Sequence, residues 1–208
     1  MIYGAGGHGK VVADILLRAG GCEVLGFVDD GREAGTVVLG LPVLGGREWL
    51  RAQTSDGAGM AVALGIGDNA ARERTFGFCR ELGLRLLTAV HPTAAVAPSA
   101  RLGEGTVVMA NASVNPDARV GAGAIINTGA VVEHDCVVGD FAHLSPNAAL
   151  GGAARVGRLA HCGLGAVVLP GIGVGDRAVI GAGSVVNRNI DSGVVAHGVP
   201  ARVTRSIG

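Results

Sequence analysis

Residues 120–156 read VGAGAIINTGAVVEHDCVVGDFAHLSPNAALGGAARV. An aliphatic side chain stands at every sixth place (Val120, Ile126, Val132, Val138, Leu144, Leu150, Val156). Four places after each comes a small one: Ala124, Ala130, Cys136, Ala142, Ala148, Ala154. A period of six fits neither the 3.6 of a helix nor the 2 of a flat strand. It fits a strand that turns a corner every six residues, with three hexads closing one triangular coil. The aliphatic residue then fills the interior of a prism, and the small one lies near the corner, where space is short. Glycine directly after the aliphatic, as at Gly121, Gly139 and Gly157, is expected to serve the tight bends.

Outward from this stretch the register runs unbroken from Val90 to Val186, with Ile172 and Ile190 the large residues at the small places. At about 4.8 Å between neighbouring strands, nearly six coils make a prism roughly 27 Å tall. Ahead of the repeat the pattern changes. Strands are expected at Met1–Tyr3, Glu23–Val28, Met60–Leu64 and Leu86–Val90, with helices at Lys10–Arg18 and Asn69–Leu82. Strands alternating with helices imply βαβ units and a parallel, Rossmann-like sheet. The loop from Gly31 to Gly46 is left undetermined. The chain thus divides into an α/β domain, 1–88, and a parallel β-helix with a C-terminal tail, 89–208.

Composition fits this division. Hydrophobic residues make up 49% of 208 but aromatics only 3%, so the core is built from Val, Ile, Leu and Ala. Net charge is zero, which gives no pull towards nucleic acid or an anionic membrane surface. No apolar run reaches the roughly 18 residues that span a bilayer, and no signal peptide is expected from the N-terminal pattern. Cys22, Cys79, Cys136 and Cys162 form no CxxC pair, the pattern of a reduced cytoplasmic protein with small buried thiols.

Two segments carry chemistry. Gly4-Ala5-Gly6-Gly7-His8-Gly9 matches GxGxxG between an expected strand and helix, and Asp29 and Asp30 follow the second strand. Glycines allow close backbone approach, a helix N-terminus favours phosphate, and an acid suits ribose hydroxyls. The plain alternative is a turn that only packs helix on sheet. His8 is a candidate phosphate contact. Asp68 or Asn69, after Gly65-Ile66-Gly67, is either an N-cap or part of a ligand loop.

The second segment is Glu133-His134-Asp135, which interrupts a surface of Gly, Ala and Val. In the hexad frame His134 projects outward, and a histidine beside a carboxylate can act as a general base. A solvated charged corner is the alternative. His143 and His161 lie one coil apart and stack on one face, with His134 expected on the adjacent face. Three histidines raise a metal-dependent hydratase, akin to carbonic anhydrases, if their nitrogens converge.

With GAGGHGKVV, FVDD, IGDN, INTGAVVEHDC, FAHLSPNAALGG and HGVPAR in one chain, the sequence resembles the sialic-acid O-acetyltransferase family of hexapeptide-repeat acyltransferases. That family includes the sugar N-acetyltransferases of bacillosamine and perosamine synthesis. The resemblance covers essentially the whole chain. It implies a left-handed β-helix, acetyl-CoA as co-substrate with no metal, a nucleotide-linked amino sugar as acceptor, and a homotrimer with active sites between subunits. By motif, His134 resembles the general base and Asp135 its acidic partner, with Glu133 the other candidate. Gly152 would offer its N–H to the thioester oxygen as an oxyanion. Asn127 matches the residue near the reacting amine, and His143 the histidine lining the acetyl-CoA site. Gly6, His8, Asp29 and Asp30 match contacts to the nucleotide. His161 stands where an apolar residue is expected beside the coenzyme. Gly198–Arg202 resembles the usual tail near it. Sugar O-acetylation on free sialic acid, and a scaffold or sensor without catalysis, remain the alternatives.

Overall fold

The computed structural model describes residues 1–53 and 60–207; positions 54–59 and 208 of the two expected domains lie outside the described residues. The N-terminal part consists of β1 (Ile2–Tyr3), α1 (Gly7–Ala19), β2 (Phe27–Val28), β3 (Val37–Val38), β4 (Leu41–Gly45), α2 (Arg47–Gln53), β5 (Ala61–Leu64), α3 (Asn69–Glu81) and β6 (Arg85–Leu86). The sheet order is β3-β4-β2-β1-β5-β6, parallel except for the β3–β4 hairpin. The chain order therefore switches direction at β1, between β2 and β5, and a crevice forms at the carboxyl ends of β1 and β5, where open α/β sheets bind ligands.

Three expectations need correction. The strand over Glu23–Val28 shortens to Phe27–Val28, with Gly26 at φ +148°, where a Cβ would strike the Pro42 carbonyl. The strand over Leu86–Val90 is two strands: Arg85–Leu86 closes the first sheet, and Ala89–Val90 is the first rung of the prism. The undetermined 31–46 loop holds β3 and β4.

From Ala89 to Val186 the chain winds through seventeen two-residue rungs in three parallel faces. The first face runs from Ala89–Val90 to Val179–Ile180, the second from Ala95–Val96 to Val185–Val186, and the third from Arg101–Leu102 to Gly173–Val174. The aliphatic hexad positions from Val108 to Val186 are buried inside, together with the small partners. Val90, Val96 and Leu102, in the lowest coil, are only partly covered. The glycines after the aliphatic residue have a different cause from the expected one. Gly121 and Gly139 have no positive φ; a Cβ there would lie 2.6 Å from the backbone nitrogen of the next coil. The left-handed corner position comes two residues later, and mixed residues fill it, Asn111, Asp117, Asp135 and Asn147 among them.

The outward side chains of the first face decide how the two parts sit. Ala89, Val107, Met109 and Ile125 share one core with Val12, Ala13, Ile15 and Leu16 of α1. Phe76 of α3 meets Phe141 edge to face, with ring centres 5.2 Å apart. The C-terminal strands Val194–Gly198 and Ala201–Ser206 form an antiparallel hairpin on the last coil of the first face.

Candidate active site

The chain passes from the second face to the third through residues 133–136, so His134 stands on the edge these faces share. Its side chain is 61% exposed. Nδ1 lies 2.8 Å from Asp135 Oδ2, and Asp135 takes a left-handed φ of +61°. Glu133 uses a carboxylate oxygen to accept from the His134 backbone N–H at 3.3 Å and does not reach the ring. Asp135 therefore fixes the tautomer, which leaves Nε2 as the basic nitrogen. The Asp135 hydrogen bond also raises the His134 pKa above the ordinary histidine value, outweighing the small cost of desolvation.

Gly152 occupies the same edge one coil later. A Cβ built on it would lie 2.6 Å from His134 Nε2, so only hydrogen at that position leaves room for the ring. The Gly152 N–H has no acceptor among the described residues, whereas its neighbours Gly151 and Ala153 donate to Val168 and His134. A basic ring nitrogen and a free amide donor thus share one corner.

His143 and His161 lie on the first face, opposite that edge and not adjacent to it as the repeat suggested. Their rings stack 4.8 Å apart with 11° between planes. They meet face to face and not through converging nitrogens, and among the described residues no three His, Cys, Asp or Glu side chains could hold a metal ion. The Thr128 N–H donates to Asn127 Oδ1 at 2.8 Å, which turns the Asn127 amide NH2 to His143 Nε2 at 3.0 Å. His143 therefore carries its proton on Nδ1, which is buried without a hydrogen-bond partner of good geometry. The ring of His8, on the first turn of α1, is 6.4 Å from that of His143, and its Nε2 is likewise buried and unpartnered.

Behind these rings lies Arg72, fully buried and with no carboxylate on it among the described residues. It donates to the Ile66, Gly67, Gly123 and Phe141 carbonyls and to Asn69 Oδ1. Burial lowers it to about 10, with Asp68 offsetting in part. Burial drives His143 down to about 3, helped by His161, Arg72 and His8. It drives His8 to about 4, with Arg72 adding to the effect. His161, whose Nε2 is 2.8 Å from Ser145 Oγ, is lowered by the same causes. All three are neutral rings near pH 7. His143 and His161 open onto a cleft of about 740 Å³ that Gly67, Asn69, Arg74, Arg177 and Ile207 also line.

The glycine loop divides its work. Gly4 has φ +102°, and a Cβ on Gly9 would overlap the Gly4 carbonyl, so these two let α1 approach the sheet closely. Gly6 is the N-cap of α1, and nothing lies within 4 Å of a Cβ built there. Asp29 accepts from the Ala5 and Gly31 backbones. Asp30 accepts from the Tyr3 hydroxyl and from the Arg47 backbone and guanidinium. Burial opposes the Asp30 charge, but these donors outweigh it and hold the carboxyl below its usual range. Both aspartates thus brace loops, and Asp30 with Arg47, Arg74 and Phe78 lines a pocket of about 280 Å³.

Asp68 is the α3 N-cap, accepting from Ala71 N at 2.8 Å. The Asn69 amide instead reaches the Leu159 and Ala160 carbonyls of the prism. The sequence reading missed Arg72, Arg74 and Ile207. Only Arg72 left a signal, one turn before Thr75 and two before Cys79 on the buried stripe of α3. Cys136 and Cys162 pack inward; burial pushes Cys162 up to about 12, and Cys136 Sγ meets the Gly151 carbonyl at 3.2 Å. Cys22, by contrast, is exposed, against expectation. Among the described residues, no helix is long and apolar enough to cross a membrane.

Residues 1–77 match the family described as the PglD N-terminal domain, and residues 99–134 that of the bacterial transferase hexapeptide with six repeats. A UDP-N-acetylbacillosamine N-acetyltransferase of Bacillus subtilis (strain 168) is 40% identical over 122 residues. That alignment spans 52% of this chain and half the length, 50%, of the relative. Perosamine N-acetyltransferase from Caulobacter crescentus, solved with CoA and GDP-perosamine, is 43% identical with a TM-score of 0.92, covering 98% of this chain and 96% of that one. The acetyltransferase domain of PglB from Neisseria gonorrhoeae FA1090, solved with acetyl coenzyme A, is 37% identical with a TM-score of 0.90, covering 98% and 97%. The prism is accordingly a left-handed parallel β-helix beside a Rossmann-like domain.

Proposed function

This chain belongs to the sialic-acid O-acetyltransferase family of hexapeptide-repeat acyltransferases, in the branch with PglD-type N-terminal domains, and on that premise we propose that it transfers acetyl from acetyl-CoA to the amino group of a nucleotide-linked amino-dideoxy sugar. Residues 1–88 hold the nucleotide handle, and residues 89–208 supply the acyl-transfer machinery. The observation that carries this reading is the His134 corner: a basic Nε2, oriented by Asp135, beside the free Gly152 amide. A histidine-to-asparagine mutant of the perosamine enzyme, solved with CoA and GDP-perosamine, has a TM-score of 0.94 to this chain.

In the reaction His134 Nε2 takes a proton from the amine as its nitrogen attacks the thioester carbon. The oxyanion accepts from the Gly152 N–H. Collapse of the tetrahedral intermediate breaks the carbon–sulfur bond, and the imidazolium returns the proton to the CoA thiolate. Asp135 stabilises that imidazolium, and Glu133 steadies the corner backbone. Direct transfer in one ternary complex needs no acyl-enzyme, in keeping with buried Cys136 and Cys162.

His134 and the His143–His161 pair lie on opposite sides of one prism, so a complete site takes His134 from one subunit and Asn127, His143 and His161 from the next. A homotrimer provides such seams. The half-buried Val131, Ala149, Val167 and Val185, outward on the second face, give it an apolar surface. His143 and His161 would line the acetyl-CoA arm and Asn127 the reacting amine. Gly6 and His8 would line the sugar's approach, and Asp30 the nucleoside, with Asp29 bracing the glycine loop. The expected location is the cytoplasm, where acetyl-CoA is supplied.

The test is thiol release from acetyl-CoA with UDP- and GDP-linked amino sugars and with free sialic acid, alongside sedimentation of the enzyme. Turnover with a nucleotide-linked amino sugar, abolished in His134→Ala, supports the reading. Turnover with sialic acid alone would replace it with O-acetylation. Turnover unchanged in His134→Ala would remove the proposed base.

A further inference from the structure

Two cavities lie along α3. One, at the carboxyl ends of β1, β2 and β5, is lined by Tyr3, Asp30, Arg47 and Phe78. The other holds the His143–His161 ladder. Arg74 is the single residue common to both linings. Its exposed side chain has no ion pair or hydrogen bond among the described residues. The charges around it are nearly all engaged: Arg72 on carbonyls, Glu73 with Arg158, Asp68 on the Ala71 amide, Arg47 with Asp30 and Arg80 with Glu104. The Arg177 side chain likewise has no partner among the described residues, but it lines only the prism-side cleft.

A nucleotide-linked sugar has the same layout. Its nucleoside and its reacting sugar are joined through a diphosphate, so a molecule with its nucleoside in the Asp30 cavity and its sugar at the mouth of the cleft that takes the acetyl-CoA arm carries its anionic bridge across the junction. An unpaired guanidinium suits that bridge, because its planar fork matches phosphate oxygens in two parallel hydrogen bonds. We infer that Arg74 binds the diphosphate of the acceptor, an assignment that rests on the substrate class proposed above. Arg74 touches neither the amine nor the thioester, so its contribution goes to acceptor affinity and not to the chemical step.

The test compares Arg74→Gln and Arg74→Lys with the parent enzyme and with Arg18→Gln, a surface control on α1 paired with Asp14. KM is measured for the nucleotide-linked sugar and for acetyl-CoA, and inhibition constants for the matching nucleoside diphosphate and for the nucleoside alone. Arg74→Gln is expected to raise the acceptor KM and the diphosphate inhibition constant by about tenfold or more, as for loss of a charge-assisted bond. The kcat, the acetyl-CoA KM and nucleoside inhibition should stay within about twofold, with Arg74→Lys recovering part of the loss. Equal inhibition constants in parent and Arg74→Gln enzymes would overturn the assignment and leave the proposed reaction standing. Failure of the parent enzyme to acetylate any nucleotide-linked amino sugar would instead remove the substrate class on which the assignment rests.

Discussion

Replacing Gly152 by alanine separates catalysis from folding at the His134 corner. The new methyl would lie 2.6 Å from Nε2 and 2.7 Å from Cε1 of His134. Ordinary carbon contacts begin near 3.5 Å, so the ring must retreat by about 1 Å. It can do so easily, because it is exposed and tethered only to Asp135. Gly152 does not sit at positive φ, so alanine brings no backbone strain. Stability should therefore change by no more than about 0.5 kcal/mol, as for surface substitutions generally. Activity should respond quite differently, since a 1 Å displacement of a catalytic group costs about 10²-fold. Steady-state thiol release should give a kcat about two orders of magnitude below that of the parent enzyme. Urea unfolding should give an unchanged midpoint. A kcat within twofold of the parent would refute the placement of the base over Gly152.

Asp135→Asn should lower kcat by about tenfold to a hundredfold and move the acid limb of the pH profile to lower pH. Transfer needs neutral His134 and fails as pH falls through its raised pKa, and the substitution removes the main cause of that raise. Acid should also loosen the domain seam. His8 and His143 titrate near 4 and 3 when folded but near 6.5 when unfolded, so the unfolded chain gains protons first as pH falls. Stability is full above about pH 7 and drops by about 2 kcal/mol per ring by pH 5, a loss that urea midpoints at the two pH values would register. Arg72→Met should destabilise by about 3 kcal/mol, because it leaves the Gly123, Phe141, Ile66 and Gly67 carbonyls without their donor. A melting temperature unchanged in that variant would contradict the clamp.

The prism and the glycine loop were legible because both are written in short-range spacing. A corner every six residues depends on side-chain size within one hexad, and the recurrence from Val90 to Val186 needs no knowledge of distant contacts. The Gly4–Gly9 turn and the outward aim of His134 follow from the same local rules. The hydrogen bonds of Asp29 and Asp30 were not legible. Their partners, Ala5, Tyr3 and Arg47, are brought to them by sheet order, so that both carboxylates also brace loops.

What the chain alone determined, then, is the coil, the two-part division and the candidate base with its acidic neighbour, since each depends on residues a few places apart. Tertiary structure decided which side of the prism each histidine takes and what lies behind it. Arg72 bonds carbonyls 51 and 69 positions away, and Asn69 reaches 90 positions to Leu159. A buried cation and neutral rings of this kind arise only when α3 closes on the prism, because desolvation is a property of the assembled surroundings and not of the local string of residues.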